Sequence, residues 1–204
     1  MSRAIGVLIS GRGSNLQAII DAIGDGRLGA RIALVISNRA DAYGLERARQ
    51  AGIETLVRDH KAHPSREAYE TVLVDDLRAR GVELVCLAGF MRLLGATFVD
   101  AFPRGILNIH PALLPAFPGL HAQRQAVEHG VKVSGATVHF VDTNLDAGPI
   151  VLQAAVSVLD TDTEDSLAAR ILEQEHRLYP EAIQRILGGG WHIEGRRVVF
   201  GSRS

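Results

Sequence analysis

The sequence is short of cysteine, of net charge and of long apolar runs, and each shortage removes a class of protein. A single cysteine, Cys86, excludes a disulfide framework and a cysteine-rich zinc site. It lies within an apolar run, where a small core residue is the simplest role. A reducing, cytoplasmic compartment is the natural expectation. Lys and Arg number 22 against 23 Asp and Glu, for a formal charge of −1. No basic field is available for tRNA or DNA, so no nucleic-acid partner is expected. No apolar stretch approaches the roughly 20 residues that cross a bilayer, so no membrane partner is expected either. The short stretch after Arg3 runs straight into a glycine loop and reads as a first strand, not a signal peptide.

What is present is a chain of 204 residues, 47% apolar, enough for a well-buried core. Strand-length apolar runs recur at Ala4–Ile9, Ile32–Ser37, Glu54–Val57, Leu84–Ala88 and Ile106–Ile109. Helix-like segments separate them at Asn15–Ile23, Tyr43–Gln50 and Ser65–Arg80. Runs this apolar suit strands covered on both faces, so the pattern predicts an α/β fold with an open, mostly parallel, doubly wound sheet.

After about residue 110 the rhythm changes. Pro111, Pro115, Pro118 and Gly119 exclude a long helix and predict an irregular loop. A short helix over His121–His129 follows, then two strands, Ser134–Val141 and Ile150–Val158, joined by turn formers and expected to pair antiparallel. Asp160–Leu187 predicts a long helix capped by Thr163, with Pro180 kinking or interrupting it. A short strand or hairpin near Arg196–Phe200 closes the sequence. With no convincing linker, a single domain over 1–204 is expected, its halves meeting near residue 105.

Three features carry chemistry. The first is ISGRGSNLQAII, Ile9–Ile20. Gly11 and Gly13 fit a dinucleotide fingerprint, but its third glycine is Leu16, and the lysine of a Walker loop is missing. The remainder is a small-residue turn opening onto a helix, with Gly13, Ser14 and Asn15 suited to one phosphate monoester. A plain strand-to-helix turn, with Asn15 as cap, would read the same. The second is LNIHPALLP, where Asn108 and His110 stand two apart at a strand end. An amide beside an imidazole suits acyl chemistry: one holds an oxyanion, the other moves a proton. A capping Asn and a satisfied His are the bland equivalents. Asp146, in NLDAGP, would orient that imidazole and favour its charged form if it came close. The third is Glu175, a carboxylate on the apolar stripe Leu167, Ile171, Leu178, Ala182, Ile186. Metal binding is not expected, since H-E-x-x-H and close carboxylate clusters are missing. Nor does a serine sit on a G-x-S-x-G elbow.

Taken together, LISGRGSNLQAII, SNRADAYGLERARQAGI, SREAYE, LAGFMRLL, LNIHPALLPAFPGLHAQRQA, GATVHFV, LDAGPI and QEHRLYP resemble the folate-dependent phosphoribosylglycinamide (glycinamide ribonucleotide) formyltransferases of purine synthesis. The order is right and nearly the whole chain is covered. The resemblance implies formyl transfer from 10-formyltetrahydrofolate, as co-substrate, to the primary amine of glycinamide ribonucleotide. It implies that Asn108 and His110 stabilise the tetrahedral intermediate, that His110 donates a proton, and that Asp146 raises its pKa. It implies phosphate contacts at Gly13, Ser14 and Asn15 and a substrate contact at Glu175. Folate contacts are implied at Arg66, Met91, Arg92, Leu93, Leu94 and Asn108. The loop Val141, Asp142, Thr143, Asn144, Leu145 and Asp146 is implied to line the pterin slot. Two relatives share the Asn–His–Asp set. Formyltetrahydrofolate hydrolases add an N-terminal regulatory domain, and methionyl-tRNA formyltransferases add a C-terminal domain and a basic face; neither addition is expected here. A non-catalytic nucleotide-binding module is the alternative from another class.

Overall fold

The computed structural model describes residues 2–201. By internal packing the chain divides into two compact units, Met1–Asn108 and Ile109–Ser204. The fold is α/β: mostly parallel strands flanked by helices, with antiparallel strands in the C-terminal half.

The first unit runs β1 (Arg3–Ile9), α1 (Ser14–Gly24), β2 (Ala30–Ser37), α2 (Tyr43–Gln50), β3 (Thr55–Val57), α3 (Arg66–Arg78), β4 (Leu84–Leu87), α4 (Ala96–Ala101) and into β5 (Ile106–His110). The strands lie in the order β3-β2-β1-β4-β5, all neighbours parallel. Six of the seven β1 residues are buried. That is the signature of a strand covered on both faces, and it is why the run reads as continuously apolar. The order reverses at β1, with β2 on one side and β4 on the other. In open α/β sheets the crevice beyond the strand ends at such a reversal is the ligand position.

Ser10, just after β1, ties that crevice together. Its hydroxyl donates to Asn38 Oδ1 at 2.6 Å and accepts the Met91 N–H at 2.8 Å. Its own N–H donates to the Gly89 carbonyl at 3.1 Å. One buried hydroxyl therefore fixes the loops after β1, β2 and β4.

The second unit carries α5 (Ala122–Glu128), β6 (Val133–Phe140), β7 (Ile150–Ser157), α6 (Glu164–Gly188), β8 (Trp191–Glu194) and β9 (Arg197–Phe200). β6 pairs antiparallel with β7, and β8 with β9. Thr163 caps α6 in a full capping box with Ser166. Of the kink or interruption expected at Pro180, interruption does not occur: α6 runs on through it. Proline removes the bond to the carbonyl four residues earlier, a loss of about 3 kcal/mol. Leu178 and Ile183 beside it are buried, each contributing about 1.5–3 kcal/mol, so packing outweighs the lost bond. Among the described residues, no helix is long and apolar enough to cross a membrane.

Candidate active site

In the first unit the glycine turn is shaped by α2. Gly13 is the N-cap of α1 at φ 70°, and a Cβ there would lie 2.6 Å from the Gly44 Cα. The Gly44 N–H donates to the Gly11 carbonyl at 3.0 Å, and Arg47 Nε donates to the Arg12 carbonyl at 2.9 Å. The turn's carbonyls are thus held on the α2 side. The first-turn amides of α1 have no intrahelical partner by helix geometry, which is the basis of anion binding at helix starts. No side chain caps α1. Asn15 therefore stands inside the first turn, not at the cap: the left-handed Gly13 makes the entry.

Arg66, Met91, Arg92, Leu93 and Leu94 also belong to this unit. Arg66 Nε donates to Glu70 Oε1 at 2.8 Å and its NH2 group to the Leu93 carbonyl at 2.8 Å. Glu70 is 2% exposed and also accepts the Gly95 N–H. Arg66 thereby anchors the 91–95 loop, a task the sequence did not announce. Met91 and Leu93 are 67% and 64% exposed, while Leu94 is buried. The loop offers two apolar side chains to solvent and is rooted by the third. Asn108 lies in β5, opposite Leu87 of β4.

His110 ends the same strand and is buried. Its Nε2 stands 2.8 Å from the Phe117 carbonyl; a carbonyl only accepts, so Nε2 carries a proton. Its Nδ1 lies 3.4 Å from Asp146 Oδ2. Asp146 is a hub. Oδ2 also accepts the Gly119 N–H at 2.8 Å, and Oδ1 faces His139 Nε2 at 3.6 Å. His139 is buried, its Nδ1 2.9 Å from the Phe140 carbonyl. Nothing in the spacing singled out His139, although it is the last residue but one of the strand that leads into the Val141–Asp146 loop.

Backbone strain collects around this hub. Asp146 (φ 49°), Phe117 (φ 53°) and His121 (φ 58°) are left-handed without being glycine. The proline-rich loop is pinned from β6 and β7. Thr137 donates to the Ala112 carbonyl at 2.7 Å and accepts the Leu114 N–H at 3.0 Å; Gln153 donates to the Leu114 carbonyl at 2.9 Å. Gly148 lets the other loop close, since a Cβ there would meet the Phe140 oxygen at 1.9 Å. Arg196, between β8 and β9, donates to the Ala147 carbonyl at 2.6 Å. Within the loop, Asp142 accepts the Asn144 N–H at 2.8 Å and Leu145 is 51% exposed.

The electrostatics of His110 add an influence that residue spacing does not reveal. Burial is the strongest influence on His110 and lowers its pKa; the Phe117 carbonyl and Asp146 raise it, and His139 lowers it. The balance lies below the ordinary imidazole range. Asp146 pulls upward as expected, but desolvation wins. For Asp146, burial pushes upward most strongly. His139, the Gly119 amide and the His110 ring together outweigh it and hold the carboxyl below its usual range. Glu175 sits 7% exposed on the buried face of α6. Among the described residues, no group of three His, Cys, Asp or Glu is arranged to hold a metal.

A family described as formyl transferase matches residues 3–183. The phosphoribosylglycinamide formyltransferase of Escherichia coli (strain K12) is 50% identical over 190 residues, 93% of this chain and 87% of that protein. The chain belongs to the phosphoribosylglycinamide formyltransferase family. The trifunctional purine biosynthetic protein adenosine-3 of Drosophila melanogaster is 52% identical over 92% of this chain, which spans only 14% of that protein's length. The crystal structure of glycinamide ribonucleotide transformylase 1 from Symbiobacterium toebii matches with a TM-score of 0.96 at 60% identity, covering 98% of this chain and 94% of that one. Membership places the chain among enzymes that transfer formyl groups.

Proposed function

We propose that this protein transfers the formyl group of 10-formyltetrahydrofolate to the primary amine of glycinamide ribonucleotide, giving formylglycinamide ribonucleotide and tetrahydrofolate in purine biosynthesis. The observation that carries this reading is the buried His110–Asp146 pair at the end of β5, two residues after Asn108, in a chain of this family. Because the family match runs through both compact units, we treat them as one catalytic domain. The compartment proposed is the cytoplasm, and the partners are the two small substrates, with neither nucleic acid nor membrane.

The amine nitrogen attacks the formyl carbon, and the carbonyl pair moves onto oxygen. The Asn108 amide and the His110 N–H are assigned to that oxygen, as donors aimed where charge develops. Collapse breaks the bond to the folate N10, which takes up a proton, while the former amine loses one. His110 and Asp146 are assigned this proton traffic, passing through water. The Phe117 carbonyl already holds the Nε2 proton, so His110 serves substrate by exchanging that hydrogen bond for one to the intermediate. Its depressed pKa makes the free ring neutral near pH 7, and the nearby carboxylate compensates when the ring takes a proton.

The remaining roles are assigned residue by residue. The amides at Gly13, Ser14 and Asn15 hold the phosphate, and Glu175 meets the substrate's ribose or amine region. Met91, Leu93 and Leu94 provide apolar surface for folate, and Arg92 meets a carboxylate. Arg66 is assigned to folate as well, and it supports that surface through Leu93. Asn108 and the segment Val141, Asp142, Thr143, Asn144, Leu145 and Asp146 complete the folate contacts. The test is an assay with both substrates beside a control lacking the amine. Tetrahydrofolate release that depends on the amine is expected. Release without the amine would make the protein a hydrolase, and no release with both substrates present would leave a binding module.

A further inference from the structure

Ser10 stands between the two places assigned to substrate in the first unit. On one side it is the residue before Gly11, where the phosphate turn begins. The carbonyls of that turn are fixed to α2: Gly11 accepts the Gly44 N–H at 3.0 Å, and Arg12 accepts Arg47 Nε at 2.9 Å. On the other side the Ser10 hydroxyl accepts the Met91 N–H at 2.8 Å, where the apolar loop assigned to folate starts. The hydroxyl proton goes to Asn38 Oδ1 at 2.6 Å, and Asn38 opens the loop that leads into α2. Ser10 and Asn38 are both buried.

The relay has one direction. A backbone N–H only donates and an amide oxygen only accepts, so the hydroxyl takes a bond from Met91 and gives one to Asn38. Each bond polarises the next, and a buried hydroxyl with both roles filled has little freedom to turn. The far end of the loop is rooted too, with Leu93 held by Arg66 at 2.8 Å and the Gly95 N–H held by Glu70 at 2.6 Å. Between these roots the side chains of Met91 and Leu93 are exposed, so the ends of the loop decide how it presents them. A phosphate on the first-turn amides orders the turn, and with it Ser10 and the Met91 end of the loop. A second ligand then meets a loop whose ordering is partly done, and linkage makes the effect reciprocal. Ser37 is the contrast. Its hydroxyl is just as buried, but both of its bonds, 2.8 and 3.0 Å, go to the backbone of Arg39, so it ties one loop to itself. We propose that Ser10 is a positioning residue that couples the two substrate sites, so that ribonucleotide on the Gly13–Asn15 turn tightens folate on the Met91–Leu94 loop, and the reverse. The coupling rests on the phosphate and folate assignments above.

The test is a binding cycle by calorimetry with glycinamide ribonucleotide and tetrahydrofolate, a pair that does not react because neither carries a formyl group. In the wild-type protein the Kd of each should fall about fivefold when the other is saturating, and by the same factor. In Ser10→Ala that factor should drop below about twofold, while each Kd measured alone moves less. Ser10→Thr keeps the hydroxyl and should keep the coupling. Ser37→Ala loses an equally buried hydroxyl and should keep it too, whatever it costs in Tm. Ribonucleotide alone should also slow hydrogen exchange of the Met91 N–H, by about threefold in the wild type and not in Ser10→Ala. Two ligands that bind the wild type without affecting each other overturn this inference alone. So does a coupling that survives Ser10→Ala, one lost as fully in Ser10→Thr or Ser37→Ala, or a Met91 exchange rate that ribonucleotide leaves unchanged. Failure of either ligand to bind the wild type overturns the substrate assignments, and this inference with them.

Discussion

The Gly11–Asn15 turn of the first unit and the His110–Asp146 pair of the second are both tightly constrained, but by different means. In the turn the constraint is backbone. A left-handed glycine touches Gly44, and one of the turn's carbonyls is held by the Gly44 N–H and another by the Arg47 guanidinium, so close backbone approach sets the turn and one side chain braces it. Around Asp146 the constraint is buried side chains, with two imidazoles and a backbone amide competing for one carboxylate. The difference teaches where each half is fragile. A turn made of backbone fails when a Cβ is added. A hub made of side chains fails when an atom is removed.

The largest effect is expected from removing atoms at β5. His110→Ala and Asn108→Ala should each lower kcat by a factor on the order of 10²–10³, the usual loss for one oxyanion donor. KM for the ribonucleotide should change little, because its phosphate is assigned to the turn. Steady-state kinetics decide the matter: near-normal kcat in either variant removes that residue from the assigned role.

Asp146→Asn follows, with kcat lowered by about 10–10². The sign of its pH effect is fixed by the geometry. Asp146 raises the His110 pKa against burial, so removing its charge lets the ring fall further. The ionisation of His110, read by NMR of its ring protons, should move to lower pH; a move upward would refute the coupling. Stability follows the same sign. Both groups have depressed pKa values in the fold, so the stability each contributes is present above its ordinary value, 6.5 for His110 and 3.8 for Asp146. It is lost as pH falls below those values toward the folded ones.

The turn gives the opposite pattern. Gly13→Ala places a methyl against Gly44 at a left-handed φ, which costs about 1–3 kcal/mol in strain. KM for the ribonucleotide should rise about tenfold, with kcat less affected. Gly11→Ala is the sharp control, because nothing lies within 4 Å of the added Cβ. If both alanines behave alike, the backbone account of the turn is wrong.

Legibility in the sequence divides along the same line. β1, β4 and the second half of β2 were readable because strands buried on both faces write uninterrupted apolar runs. Ser65 and Thr163 were readable as helix starts because caps are local. Asn108, His110 and Asp146 stood out by residue type and through the family resemblance. What stayed hidden depends on partners distant in sequence. Arg66, bound to Glu70 on its own helix and to the Leu93 carbonyl, joins segments that no local motif connects. His139 looked like a strand residue and faces Asp146. Desolvation of His110 depends on its burial in the folded chain, and no motif encodes that sum. Pro180 shows the limit of a local rule: it does not interrupt α6, where the neighbours Leu178 and Ile183 are buried.

The smallest expected effect lies at Arg196, and it probes how far the side-chain hub extends. Arg196 holds the Ala147 carbonyl, one residue past the left-handed Asp146. Arg196→Ala removes that donor without touching either imidazole. An exposed hydrogen bond from a charged group contributes about 1–2 kcal/mol at most. Part of that loss is taken up by water, so kcat should fall about two- to threefold. The His110 ionisation should stay in place, because Asp146 keeps Gly119 and His139 as partners. Lysine at 196 should recover much of the loss, since a single donor suffices. A fall as large as that of Asp146→Asn would mean that the β8–β9 hairpin, not the Gly119 amide, sets the carboxylate.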